Sequence, residues 1–176
     1  ARLGLDPSVR RLLCAGRLVE GKGVGDLLRA HASLGERVHL VLAGGGGGAW
    51  IARTIRSLGS GARVERPGEV AYGAVADWMN ACDVVCLPSR AEGRPSAAIE
   101  ARACLRPVAA TDIPGHRETL KGYAGALWAS PADPVALARS VADALASPAP
   151  SAEPGWIPPG WADTASDLID LYGGVE

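Results

Sequence analysis

Short apolar runs alternate along this chain with longer stretches of helical period, and that alternation constrains the fold more than any other feature. The runs Val38-His39-Leu40-Val41-Leu42-Ala43 and Val84-Val85-Cys86-Leu87 are apolar almost throughout. Strands buried on both faces read this way, whereas a half-exposed strand alternates apolar with polar. Parallel strands also need a long crossover between them, and a helix is the usual one. The pattern predicts strands near 11–15, 38–43, 63–65, 84–87, 108–110 and 126–128, and helices near 24–34, 49–58, 75–81, 97–104 and 134–146. The fold class that follows is α/β, a Rossmann-like doubly wound parallel sheet of about six strands with helices on both faces. Residues 147–160, rich in Pro, Ala and Ser, read as an irregular linker, and a trailing C-terminal helix is expected over 162–172. The expected division is 1–9 as a connecting segment, 10–146 as a ligand-binding domain, 147–160 as linker and 161–176 as the last helix.

With 176 residues, 48% of them hydrophobic, the chain can bury a core for one domain. A formal net charge of −1 and a pI near 6.4 argue against broad nucleic-acid or anionic-membrane binding. No apolar run approaches the roughly 18–20 residues that span a bilayer, and the start lacks a signal-peptide layout. Cys14, Cys82, Cys86 and Cys104 sit among apolar neighbours and form no C-x-x-C pair. Buried free thiols are the expectation, consistent with a reducing cytoplasm. Metal ligation by Cys82 and Cys86 would need a third ligand that the sequence does not offer.

In a sheet of this kind, ligands bind where loops leave the C-terminal strand ends. The loop after the first strand carries Gly16, Arg17 and Lys22, and of 18 basic residues only Lys22 and Lys121 are lysines. An Arg at a strand end and a Lys at the mouth of the next helix can converge on one diphosphate, or be solvated loop cations. The next loop is a run of glycines at 44–48. Gly44, Gly46 and Ala49, with Glu65 expected at a strand end, match the G-x-G-x-x-A dinucleotide fingerprint. A glycine run satisfies almost any such pattern, and the fingerprint belongs to the first strand–helix turn. A flexible surface turn is therefore favoured over NAD binding, with a backbone contact to a ligand held by other loops as the third reading. Pro67-Gly68-Glu69-Val70 then offers backbone groups at the same edge, with Val70 able to meet a base edge, or else forms a plain turn.

The segment from Glu92 to Glu100 is the most chemically loaded. Pro95-Ser96 reads as a helix opening, since a helix front tolerates Pro, with Ser96 as the cap. The amides of Ala97 and Ala98 are then expected to face outward, where partial positive charge favours phosphate. A capping box would place an acid at position 99, but Ile99 is there, so Glu100 lacks its simplest structural use. A solvated Glu92 and a Glu100 that complements the helix dipole are the plainer alternatives. Acids at both ends of a phosphate-binding helix tip suggest a ligand with hydroxyl-rich ends and phosphates between them, as in a nucleotide-sugar.

The segments G-R-L-V-E-G-K-G from Gly16, V-H-L-V-L-A-G from Val38, A-C-D-V-V-C-L-P-S from Ala81, E-G-R-P-S-A-A-I-E-A from Glu92 and R-P-V-A-A-T-D-I-P-G-H-R-E from Arg106 occur in this order. Over 10–118 the chain thereby resembles the C-terminal, donor-binding domain of GT-B glycosyltransferases of family 4, the glycosyl transferases group 1, which retain anomeric configuration. The resemblance implies that Arg17 and Lys22 bind the donor diphosphate, Glu92 contacts the transferred sugar and Glu100 holds the ribose hydroxyls. It places Gly16 and the backbone of Gly93, Arg94, Pro95, Ser96, Ala97 and Ala98 at phosphate and sugar, and Val70 near the base. It implies a UDP- or GDP-linked sugar as partner, no cofactor and no metal; the sequence has no D-x-D motif. It further implies an acceptor-binding N-terminal domain of the same polypeptide outside this chain, with 1–9 resembling the interdomain link and little turnover by the isolated domain. A bacterial, cytoplasmic enzyme, peripheral to a membrane when full length, is the matching expectation. Two positions depart from the family. Leu105 replaces a usual glycine and is expected to alter only local packing, and Arg94 replaces an aromatic or aliphatic residue on the ligand-facing loop. A sugar-nucleotide isomerase or phosphorylase of the same fold is the nearest alternative, followed by an NAD-linked oxidoreductase domain or a ligand-free scaffold. His116 either lines the cleft, steadies its turn or is simply exposed, while His31 and His39 read as structural.

Overall fold

The computed structural model describes residues 9–35, 38–59, 63–152, 154–158 and 160. The elements follow in the order β1 (Arg10–Ala15), α1 (Val24–Ser33), β2 (Val38–Ala43), α2 (Gly48–Ser57), β3 (Val64–Gly68), α3 (Val75–Ala81) and β4 (Val84–Leu87). They continue with α4 (Ser96–Ala103), β5 (Val108–Thr111), α5 (Pro114–Thr119), β6 (Ala126–Ala129) and α6 (Pro134–Ala146). All six strands are parallel, in the order β3-β2-β1-β4-β5-β6. The order reverses between β1 and β4, which pair through Leu12 with Val84 and Leu13 with Val85. This is the expected doubly wound α/β sheet.

Alternate strand residues feed two separate cores, because successive side chains point to opposite faces of a sheet. Leu12, Leu40, Leu42 and Val84 pack with Leu27 and Leu28 of α1, Ile51 of α2 and Leu137 and Val141 of α6. Leu13, Val41, Val85 and Val108 pack on the other face with Trp78 and Met79 of α3 and Ala98 and Ala101 of α4. Each face is closed, which is why the central strands carry so few polar residues. Among the described residues no helix is long and apolar enough to cross a membrane.

The structure departs from the sequence expectations at several elements. β3 runs on to Gly68, with a register shift against β2 between Val41 and Ala43. Pro67 is tolerated inside it because β3 is an edge strand, where a missing N–H breaks no ladder bond. Glu65 is consequently the second residue of the strand and not its end. The six-residue α5 was not expected, since a helix opening Pro-Gly-His-Arg shows no apolar period. The described part of the 147–160 linker holds no helix or strand, and the helix expected over 162–172 lies outside the described residues, as do residues 1–8.

Leu105 is more than a packing change. It has φ 51, a left-handed conformation that costs a β-carbon-bearing residue about 1–2 kcal/mol. It stands just past α4, where Arg106 N–H donates to Ala101 O at 3.0 Å and Leu105 N–H to Arg102 O at 3.0 Å. That is the bonding of a helix stop that ordinarily uses glycine. Gly23 does need to be glycine: its φ is 66, and a Cβ there would lie 1.9 Å from Pro88 O. Leu105→Gly is expected to raise the unfolding free energy by about 1 kcal/mol, and Gly23→Ala to lower it by about 1–3 kcal/mol. Urea midpoints measure both, and a Leu105→Gly midpoint below wild type would contradict the strain.

Candidate functional site

β1 and β4 end side by side, and the loops that leave them line opposite walls of one crevice. The β1 loop begins at Gly16 and Arg17, forms a single tight turn over Glu20–Lys22 and enters α1 through Gly23. Its backbone is fastened to the glycine turn after β2: Gly16 N–H donates to Ala43 O at 2.9 Å and Leu18 N–H to Gly45 O at 2.8 Å. A Cβ on Gly44 would lie 1.8 Å from Gly16 O. The glycine run is thus a packed support for the first loop rather than the free surface turn expected from composition.

The β4 loop is tied to the β1 loop at several points. Arg90 N–H donates to Gly21 O at 3.2 Å. The Arg90 side chain reaches Asp26 of α1, with Nη2 2.9 Å and Nε 3.3 Å from Oδ2, while Arg29 takes Oδ1 at 3.0 Å. Lys22 Nζ lies 2.5 Å from Glu92 Oε1, and Ser89 Oγ donates to the same oxygen at 2.6 Å. Glu92 Oε2 has no partner among the described residues. Asp26, Ser89 and Arg90 were not singled out by sequence: Asp26 and Arg90 are 64 positions apart, and no local pattern signals their pairing.

Between these walls lies a cavity of about 300 Å³, lined by Gly16, Arg17, Lys22, Ser89, Glu92, Arg94, Pro95, Ser96, Ala97 and His116, with Cys14 and Cys86 among the strand residues beneath. A second hollow shares Gly16, Arg17, Ser96 and Ala97 with it and adds Glu69, Val70, Tyr72 and Glu100. Glu92 and Glu100 therefore occupy adjoining hollows, with Arg17 and the front of α4 common to both. Gly93 lines a shallower groove with Lys22 and Glu92. Ala98 is fully buried and lines neither hollow.

The front of α4 differs in detail from the sequence expectation. Pro95 takes the capping position, Ser96 is the first helical residue and its side chain makes no capping bond. Ala98 N–H donates to Pro95 O at 3.0 Å, so it is not an outward amide. The open amides are those of Ser96 and Ala97, one position earlier than expected. By contrast, Asp133 Oδ1 caps α6 by accepting from Val135 and Ala136 N–H at 2.9 Å. A first turn left open while another is satisfied internally is available to an anion.

Charge is distributed to match. Arg17 is exposed and makes no hydrogen bond or ion pair among the described residues. Burial pushes the Glu92 carboxyl up, but the hydrogen bonds from Lys22 and Ser89 and the Lys22 charge outweigh it, leaving Glu92 below its ordinary range. Glu100 has no such partner, and burial alone raises it. Burial pushes the Cys14 thiol to about 12 and Cys86 well above its usual value, so neither is a nucleophile at neutral pH. His116 is fully buried, with Nδ1 2.9 Å from Thr111 O. Burial lowers its basicity most, and the Thr111 carbonyl and Glu92 offset this only in part. His31, equally buried, has Nε2 2.8 Å from Val38 O, and its role is structural as expected.

The sequence model of the glycosyl transferases group 1 family matches residues 1–155. A D-inositol 3-phosphate glycosyltransferase of Streptosporangium roseum is 32% identical, the match covering 99% of this chain and 44% of the relative. One from Xylanimonas cellulosilytica is 33% identical, covering 97% of this chain and 44% of the relative. Among solved structures, a sucrose-phosphate synthase from Thermosynechococcus elongatus superposes with a TM-score of 0.78 at 29% identity, over 84% of this chain and 39% of that one. Anabaena HepE in complex with UDP-glucose superposes with a TM-score of 0.70 at 26% identity, over 77% of this chain and 38% of that one. The chain thus spans less than half the length of these proteins.

The two buried histidines give the fold a pH dependence of definite sign. Both are held below the ordinary value of 6.5, so on acidification the unfolded chain takes up protons before the folded one does. Stability is then greatest above about pH 6.5 and falls as the pH drops through the lowered folded values. Urea midpoints at pH 7.5 and 6.0 should show the lower value at 6.0, and an unchanged or higher midpoint there would contradict neutral burial of these rings.

Proposed function

The chain belongs to the glycosyl transferases group 1 family, and from that premise we propose that it binds a nucleoside-diphosphate sugar and, in the full-length protein, delivers the sugar to an acceptor hydroxyl. The observation that carries this reading is the convergence of Arg17, unpaired among the described residues, Lys22 and the open Ser96 and Ala97 amides on one cavity. Positive charge from two side chains and a helix end suits a diphosphate. Glu92, with one oxygen held by Lys22 and Ser89 and the other open, suits the hydroxyls of the transferred sugar. Glu100 and Val70, in the adjoining hollow, suit the ribose and the base edge. A UDP-linked donor is favoured over GDP by the likeness to HepE, whose structure holds UDP-glucose.

In the transfer, the bond from sugar C1 to the diphosphate oxygen breaks with its electron pair on that oxygen. The acceptor oxygen bonds to C1, and its proton passes to the diphosphate oxygen that leaves. Arg17, Lys22 and the helix end stabilise the leaving charge from fixed positions, which is electrostatic preorganisation. These groups supply that positive charge without a metal ion. Glu92 positions the sugar, and the anomeric configuration is retained, as in the family. The acceptor is bound by a preceding domain of the same polypeptide, for which the greater length of the relatives leaves room.

Calorimetry on this chain with UDP, GDP, ADP and NAD tests the reading. UDP should bind best, with and without EDTA, and Arg17→Ala or Lys22→Ala should each weaken it by about 1.5–3 kcal/mol, the range for charged hydrogen bonds. Unchanged affinity in both variants would overturn the diphosphate site, and binding of NAD alone would move the ligand to the glycine turn at 44–48.

A further inference from the structure

We propose that His116 accepts a hydrogen bond from one hydroxyl of the donor's sugar through Nε2, making it a specificity-determining residue of this site. The inference rests on the nucleotide-sugar reading for the identity of the ligand, but its argument is separate. His116 is fully buried and still lines the 300 Å³ cavity. Its Nδ1 lies 2.9 Å from Thr111 O, and a carbonyl can only accept, so Nδ1 carries the proton. Thr111 Oγ1, 3.2 Å from Nδ1, cannot supply that proton, because it donates to Ser89 O at 2.5 Å. In the neutral ring this leaves Nε2 as a bare lone pair, buried and without a partner among the described residues.

A buried acceptor left unsatisfied costs about 1–3 kcal/mol. His31 Nδ1 is also unpartnered among the described residues, but only His116 of the two lines the cavity, where a ligand donor can meet it. Nε2 needs an O–H or N–H, which a phosphate or a carbonyl lacks and a sugar has. Burial keeps the ring neutral despite Glu92, and the nearby Lys22 charge acts in the same direction as burial.

The ring's position relative to Glu92 is fixed by backbone contact. A Cβ on Gly115 would lie 2.3 Å from Glu92 O, so the start of α5 sits directly on the Glu92 loop. Glu92 and His116 therefore present a rigid pair of acceptors to the same end of the ligand, one charged and one neutral. A polyol with adjacent hydroxyls fits such a pair.

The test compares nucleotide with nucleotide-sugar in calorimetry on this chain, using UDP with UDP-glucose and UDP-N-acetylglucosamine, and GDP with GDP-mannose. The sugar that binds tightest to wild type is carried forward with its nucleotide. His116→Asn keeps a side-chain N–H near Nδ1 for Thr111 but removes the acceptor. His116→Gln returns a carbonyl oxygen near the Nε2 position. The expected result is wild-type affinity for the nucleotide in both variants, about tenfold weaker binding of the nucleotide-sugar by His116→Asn, and recovery to within about threefold in His116→Gln. Nucleotide-sugar affinity unchanged in His116→Asn, or nucleotide and nucleotide-sugar weakened equally, would overturn the proposal and leave His116 a structural residue. Wild type that binds nucleotides but none of the sugars more tightly also overturns it, while leaving the diphosphate site standing. Wild type that binds no nucleotide overturns the donor-site reading itself, and this inference with it.

Discussion

β1 and β4 are neighbours, but the helices that follow them must cover opposite faces of the sheet. Leu27 and Leu28 of α1 belong to one core and Ala98 and Ala101 of α4 to the other. The connecting loops therefore diverge at the point where the strand order reverses, and a crevice opens between them without any side chain being displaced. The cationic wall and the acidic wall of the site follow from that divergence. Arg17 and Lys22 lie on one wall, Glu92 and the front of α4 on the other, and His116 comes from the next strand's loop behind them.

Diverging loops would be mobile if nothing rejoined them, and the chain rejoins them with backbone rather than bulk. Gly23 abuts the Pro88 carbonyl, Gly44 the Gly16 carbonyl and Gly115 the Glu92 carbonyl, each closer than a Cβ allows. Polar clamps then set the register: the Asp26 carboxylate, mostly buried, holds Arg90, and Lys22 holds Glu92. Glycine contacts of this kind cost more conformational entropy on folding but leave the crevice free of side-chain volume. The result is a rigid rim around an open cavity, which suits a ligand that must be oriented at both ends.

The electrostatics of the rim are uneven in a useful way. Lys22 already gives one of its donors to Glu92, while Arg17 and the Ser96 and Ala97 amides have no partner among the described residues, so an anion at this rim would meet groups outside the existing pair. Lys22 can then share its remaining donors without releasing Glu92, since an ammonium has three. On the acidic side, the Lys22 and Ser89 hydrogen bonds hold Glu92 below its ordinary range while burial raises Glu100, so the two carboxylates differ in character although they sit on one short segment.

Much of this was legible in the residues themselves. The spans of β2, β4, α3 and α6 could be read directly from apolar period and flanking turn residues, because each buries a face whose pattern is local. For Arg17, Lys22 and Glu92 the residues left two readings open, convergence on one ligand or solvated loop charges, and the structure places the three around one cavity. What was not legible depends on contacts between distant residues. β3 runs on through Pro67 at the sheet edge, the start of α5 packs on the Glu92 loop at Gly115, and Pro95 takes the cap position in place of Ser96. The unsatisfied nitrogen of His116 and the Asp26–Arg90 pair likewise have no sequence period. Local chemistry determined which elements form and which charges line the edge; the tertiary structure decided which polar atoms are left without partners, because burial and hydrogen-bond satisfaction are properties of the assembled fold and not of any segment of it.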